Sequence, residues 1–305
     1  LTRDTVDKIV FTGSTQTGRK VCAQAANKVA EVDAELGGKD AMIVMEDADI
    51  AAAGKACVWG VTNFAGQTPA KPARVMVHTS VYDDFKTQLT KAMSEVHMGQ
   101  IDKPETELGP MLNDPLTRFA EMLVKEAADA GATVLCGGER AKEIQGNFFK
   151  PTVIEGATKE MRIEKTDLWA PIVTIRKFEN IQQALSRTNE HDLGLTASIW
   201  SKNTKEAAKI ARRIDAGCVM INNVSTGMSD VGVPFSTRRM SGHSLRHGVY
   251  GLQAMTRTQV ITTNKKGFFK APYMSRGKIS HKFILAVIAY KSNQLKKLLN
   301  ILKEK

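Results

Sequence analysis

The sequence predicts an α/β protein built around a largely parallel sheet. Two observations carry this. Short runs rich in Val, Ile and Met, at 41–45, 74–78, 171–178, 196–201 and 218–222, read as buried strands, and segments with apolar residues at helical spacing lie between them. Near the start, a strand at 8–11 runs through a glycine-bearing turn (13–18) into a helix, the unit from which such sheets are assembled.

In chain order, the first helix places Val21, Ala25 and Val29 on one face. After the strand at 41–45 comes a long helix, 47–63, with alanines, Val58 and Trp59 inside it. The strand at 74–78 leads to a helix at 81–97, where Phe85, Leu89 and Met93 recur at helical spacing. A helix follows at 115–130. Strands at 133–136 and 148–154 follow, and then the strand at 171–178. A helix at 181–189, the strand at 196–201, a helix at 204–216 and the strand at 218–222 continue the alternation. Residues 256–263 alternate polar and apolar, with Val260 and Ile261, and read as a last strand. There is no internal repeat and no low-complexity linker. His78 reads as a packed or surface histidine, not a ligand.

Composition bounds the possibilities. A chain of 305 residues can bury a large core, and 42% hydrophobic with 25% charged residues is ordinary for a globular protein. Cys22, Cys57, Cys136 and Cys218 are too widely spaced for a zinc pattern or a disulfide framework, so a reducing, cytoplasmic setting is the expectation. The formal charge of +11 sits almost wholly in the tail: residues 265–305 hold ten lysines and one arginine against one acid. The remainder is near neutral, which argues against a nucleic-acid partner. The tail has two apolar blocks, 283–290 and 295–302, the second flanked by lysines as in an amphipathic basic helix. Such a helix packs on its own body or on a partner subunit, or lies on a membrane surface through residues 282–305. The first block is too short to span a bilayer.

The chemistry lies in Glu35-Leu36-Gly37-Gly38-Lys39 and Gly66-Gln67-Thr68-Pro69, with 34 residues from Glu35 to position 69. With them go Phe11-Thr12-Gly13-Ser14-Thr15, Gly109-Pro110-Met111, Asp167-Leu168-Trp169-Ala170-Pro171, Leu193-Gly194-Leu195 and Pro234-Phe235. Together these resemble the aldehyde dehydrogenase superfamily over about residues 5–264. The resemblance implies an aldehyde dehydrogenase-like fold. Residues 1–36 would be a remnant of a Rossmann-like cofactor domain and 37–238 a catalytic domain. Residues 239–264 would return to the cofactor domain and give an oligomerisation strand, ahead of the basic tail at 265–305. The chain starts at Leu1 without a signal peptide, and the expectation is of a fragment lacking its N-terminal part.

Aldehyde oxidation in this family uses a thiolate to attack the carbonyl, donors to hold the oxyanion, a nicotinamide to take hydride and a carboxylate to activate water. The resemblance makes Glu35 the base and position 69 the nucleophile. On the cofactor side, for NAD or NADP, it puts Gly13, Ser14, Leu36, Asp167 and Trp169. Position 69 departs from the pattern. Proline has neither a nucleophilic atom nor a backbone N–H. The expectation is therefore an aldehyde dehydrogenase by descent whose oxidation of aldehydes to acids is impaired, as a homo-oligomer. The alternative is a non-catalytic binding partner or a membrane-surface protein acting through its tail. Altered positions Ser236, Thr237, Ser244 and Leu245, where the family has Gly-Gly and Gly-Arg, point the same way.

Overall fold

The computed structural model describes residues 6–225, 229–263 and 278–292, together with 294, 296 and 300. The chain forms two units, Leu1–Thr256 and Arg257–Lys305. The first unit holds a seven-stranded sheet of order β10-β9-β3-β4-β7-β6-β5. Its strands are β3 (Asp40–Val44), β4 (Pro72–His78), β5 (Thr133–Cys136), β6 (Thr152–Glu155), β7 (Ile172–Phe178), β9 (Thr196–Trp200) and β10 (Cys218–Ile221). All neighbours run parallel except β5, which is antiparallel to β6.

Alternation along β3 explains the layers. Met42 and Val44 face α2 (Ile50–Thr62) and α3 (Tyr82–Ser94), packing with Cys57, Val61, Phe85, Leu89 and Met93. Ala41 and Ile43 face α6 (Ile181–Asn189) and α7 (Thr204–Ala211), packing with Leu185 and Ile210. A strand covered on both faces reads as one apolar run, as this one does. On the β6–β7 side, α4 (Asp114–Asp129) packs Leu123 and Val124 with Phe149, Ile154 and Ile172. Helix starts follow local chemistry. Asp49, Asn113, Asn180 and Asn203 each accept a hydrogen bond from an amide three residues on, satisfying a donor the helix leaves open.

A second sheet has the order β1-β2-β13, from β1 (Lys8–Thr12), β2 (Glu31–Glu35) and β13 (Gly242–His243). α1 (Thr15–Ala26) crosses between β1 and β2, which are parallel. Two small antiparallel pairs complete this unit. β8 (Leu193–Gly194) joins β12 (Arg238–Arg239), and β11 (Phe235–Ser236) joins β14 (Leu245–Arg246). The short helices are α5 (Arg162–Lys165) and α8 (Gly248–Ala254). In the second unit α9 spans Lys278–Lys291. It contains the first apolar block, while most of 295–302 lies outside the described residues.

Several expectations need correction. The first helix stops at Ala26, so Val29 lies beyond it, exposed and at φ 55°. The strand expected at 148–154 begins only at Thr152, because Pro151 has no amide to give a ladder. The helix expected at 204–216 ends at Ala211, where tight turns onto Ile210 and Ala211 replace it. Residues 256–263 form no strand. Val260 and Ile261 stay 79% and 81% exposed, since this stretch has no ladder partner among the described residues. β2 was not foreseen: Glu31-Val32-Asp33-Ala34-Glu35 holds too few apolar residues to signal a strand.

Candidate active site

Glu35 is the last residue of β2, opposite Thr12 of β1 and Gly242 of β13. Its carbonyl accepts from the Gly13 amide, and the next amide, Leu36 N–H, donates to Ser241 O at 2.9 Å. The Ser241 hydroxyl donates to Gly37 O at 2.6 Å. The Glu-Leu-Gly-Gly segment is thus fastened from both sides. The Glu35 carboxylate is largely buried. It pairs with Arg246 Nε at 3.0 Å and accepts from Ser244 Oγ at 3.3 Å. Arg246 also holds Asp33, two residues back on the same face of β2, at 3.2 Å. Leu36 is buried beneath α1, where it fills the space a side chain at Gly18 would need.

The Gly66–Pro69 turn reaches this segment directly. A Cβ on Gly38 would sit 2.3 Å from the Pro69 carbonyl, so only glycine lets the two backbones meet. Before it, Phe64, Ala65 and Gly66 all take positive φ, at 51°, 56° and 69°. Such strain persists where surroundings hold it. Gln67 braces the turn, donating to Phe64 O at 3.0 Å and accepting from the Leu112 amide at 2.7 Å. Pro69 itself is half-buried and offers the site only a carbonyl and a ring.

Two thiols of this unit, Cys57 and Cys218, are poor nucleophiles. Cys57 is buried in α2, and burial pushes its pKa up to about 12. Cys218 packs against Ala70, Leu195 and Phe235, next to position 69. Burial, with the nearby Asp40 charge, raises its pKa, and a thiol kept protonated is a poor nucleophile.

Asp167 and Trp169 lie on the loop before β7. The Asp167 carboxylate turns under Gly37, where a Cβ would meet Oδ2 at 2.3 Å. Its polar neighbours are the Trp169 side chain and the Gly38 amide, and burial raises its pKa against these and against Lys71 and Lys39. Trp169 is 38% exposed. Ser14 is the N-cap of α1. It accepts from the Thr17 amide at 3.2 Å, and no acidic residue lies in the first turn. That helix end suits a phosphate. Asp167 suits a ribose less well as it stands, because its oxygens already serve Gly38 and Trp169.

A cavity of about 600 Å³ opens beside the site, lined by Thr15, Met240, Asp167, Glu164, Arg74 and His191 among others. His191 is neutral at physiological pH. Burial first, then the charges of Arg74 and Lys39, push its pKa down to about 4. Beneath lies a buried charged layer that sequence reading missed apart from Lys39, which belongs to the Glu-Leu-Gly-Gly-Lys motif. Arg74 donates to Lys39 O at 2.9 Å and to Arg187 O at 2.8 Å. Asp40 accepts from the Thr196 amide at 3.1 Å and hydroxyl at 2.5 Å, yet burial still lifts its pKa to about 7. Lys71 donates to Leu168 O at 2.5 Å and also to Ala170 O. Burial and the Lys39 charge push its pKa down to about 7, against Asp167. The signal was available: charged residues at the heads of the apolar runs that became β3 and β4.

Lys71 makes stability depend on pH. Its folded pKa of about 7 lies below its ordinary value of 10.5, so the unfolded chain binds the extra proton between them. Its contribution is present above the higher value and is lost as pH falls towards 7. Denaturation measured across this window is expected to show stability rising with pH, and Lys71→Met to flatten that rise. Asp40 acts with the opposite sign at lower pH, its contribution declining as pH rises from about 4 to about 7.

Among the described residues no group of three or more His, Cys, Asp and Glu could hold a metal.

The family model described as aldehyde dehydrogenase family matches residues 1–261. The chain is 34% identical over 258 residues to retinaldehyde dehydrogenase 3 of Mus musculus, covering 84% of this chain and 50% of that protein. It is 31% identical over 256 residues to an aldehyde dehydrogenase of Paenarthrobacter nicotinovorans, covering 84% and 55%. Among solved structures, betaine aldehyde dehydrogenase of Staphylococcus aureus, a P449M variant with NAD+, superposes with a TM-score of 0.83 at 30% identity. That match covers 88% of this chain and 55% of the other. The chain spans about half the length of the curated relatives it matches.

Proposed function

The chain belongs to the aldehyde dehydrogenase family, and from that premise we propose that it is an aldehyde dehydrogenase by descent whose NAD(P)-dependent oxidation of aldehydes to acids is impaired at position 69. One observation carries the reading: Pro69 lies against Gly38, in the segment that begins at Glu35. At that place the family's chemistry asks for a thiol and a backbone donor, and proline supplies neither. Glu35, the base in this reading, is held by Arg246 and Ser244. It would have to leave Arg246 before taking a proton from water.

The cofactor of this reading is NAD or NADP, which supplies a hydride acceptor when bound. Gly13 and Ser14 at the start of α1 would hold its phosphates. Leu36, buried under α1, and Trp169 would border it. Asp167 would have to release Gly38 and Trp169 before its carboxylate could reach a ribose hydroxyl. Given NAD or NADP and short- or long-chain aldehydes, the unaltered protein is expected to form no reduced cofactor by absorbance. Sustained formation would overturn the reading.

A second reading concerns the tail, for a cytoplasmic protein bound peripherally. Ile284, Val287 and Ile288 are 53%, 39% and 56% exposed at helical spacing on α9. An exposed apolar stripe in a strongly basic segment suits an anionic lipid surface. No helix among the described residues is long and apolar enough to cross a membrane. The protein is expected to sediment with phosphatidylserine vesicles and to lose this when residues 265–305 are deleted. Equal sedimentation of both forms would remove the tail from the account. Homo-oligomerisation through residues 256–263 is the competing use of the same region. It predicts instead that subunit association falls when Val260 and Ile261 become polar.

A further inference from the structure

We propose that the cavity where the start of α3 meets the end of β7 binds a small phosphate-bearing anion, held between Arg176 and Lys159. The proposal is independent of the chemistry at position 69. The cavity has a volume of about 500 Å³. Its charged walls are Arg176, Lys177, Lys159 and Arg187 on one side of the balance and Glu155 and Glu160 on the other. Arg176 and Lys177 come from β7, Lys159 from the loop after β6, and Arg187 from α6.

Both acids are already engaged. Glu155 accepts from Tyr82 Oη at 2.7 Å and pairs with Lys86 at 3.3 Å. Glu160 is hydrogen-bonded by Thr158 and by its own amide. Lys177 is partly committed as well, with its Nζ 3.8 Å from Asp83 and 4.7 Å above the Tyr82 ring. Two cations are left less matched. Lys159 is exposed and makes no ion pair among the described residues, and Arg187 donates to the Lys177 carbonyl, a neutral acceptor.

Arg176 supplies the decisive observation. It lines the cavity and its side chain is 17% exposed, so an anion reaches it without a channel through the core. Among the described residues, its Nε and Nη2 are buried with no hydrogen-bond partner. Glu164, the carboxylate paired with it, stands 3.7 Å from Nη2, beyond hydrogen-bond reach. Guanidinium donors left without acceptors cost stability, and an oxyanion in the cavity would offset that cost. Arginine's planar fork and lysine's point charge both suit phosphate oxygens. A carboxylate brings one negative charge, whereas a phosphate ester brings about 1.5–2 near neutral pH, closer to what Lys159 and Arg187 leave unmatched.

The test titrates the unaltered protein with inorganic phosphate and with glycerol 3-phosphate at constant ionic strength, with chloride and acetate as controls, and reads binding by calorimetry. Saturable binding of phosphate or its ester, and of neither control, is the expected result. Which of the two binds more tightly separates free phosphate from an ester as the source. The same response to all four anions is charge screening and overturns the proposal, as does the lack of saturable binding. The start of α1 is the competing anion site, so variants fix the position. Lys159→Ala changes an exposed side chain and should weaken binding on the order of tenfold, the loss of one charge-assisted contact. Arg176→Gln should weaken it at least as much. Phosphate should also slow acetylation of Lys159, mapped by mass spectrometry, and leave the exposed Lys205 unaffected. Unchanged affinity in Lys159→Ala, or no protection of Lys159, overturns the proposal, and this arm decides the matter if Arg176→Gln fails to fold.

Discussion

Replacing Arg246 with methionine is expected to destabilise the first unit by about 3–5 kcal/mol, the range for removing one partner of a buried ion pair. Asp33 is 3% exposed and Glu35 is largely buried, and the one guanidinium serves both. Methionine keeps much of the volume and removes the charge, so two carboxylates on one face of β2 would be left facing each other. β14, which carries Arg246, would lose its tie to β2, and the sheet that positions Glu35 would loosen first. Chemical denaturation checks the size of the effect. Adding Asp33→Asn and Glu35→Gln to the same protein should recover most of the loss, because removing both sides of a pair costs far less than removing one. A single variant as stable as the parent would show that this ion pair does not hold the strand. Arg246→Lys should fall between, since lysine keeps the charge but lacks the Nε donor that meets both carboxylates.

The main sheet was legible because its strands are buried on both faces. A run such as Ala41-Met42-Ile43-Val44 carries its own signal. Helix starts were legible to within a few residues because Asn113, Asn180 and Asn203 cap them by local rules. β2 was hidden because it owes its place to neighbours: β1, β13 and Arg246 make a strand of a segment with three acids. The opposite held at 256–263, where alternation promised a strand that nothing in the described chain pairs with. At the site, the Glu35 and Pro69 segments were legible as motifs. That Gly38 is where they touch was not, since it depends on two backbones meeting in space. Lys71, Asp40 and Arg74 stayed hidden for another reason. A charged residue beside an apolar run looks like an exposed strand end until the structure shows it buried.

Pro69→Cys is expected to have the largest effect on activity. It returns both a thiol and a backbone N–H to the place where the Gly66–Pro69 turn meets Gly38. Loss of one oxyanion donor alone costs roughly 10²–10³ in rate, and loss of the nucleophile closes the covalent route. The turn is already braced by Gln67, and its positive-φ residues precede position 69, so cysteine needs no new backbone conformation from them. Glu35 remains tied to Arg246, which should slow the hydrolysis that follows acyl transfer more than the transfer itself. The expected course is a burst of up to one reduced cofactor per chain and then slow turnover. The most direct measurement is therefore the time course of reduced-cofactor formation by the unaltered protein and by Pro69→Cys, side by side, with the same aldehydes. The account predicts a flat trace for the first and a burst for the second. Turnover by the unaltered protein, or a folded cysteine variant with no burst, would contradict it.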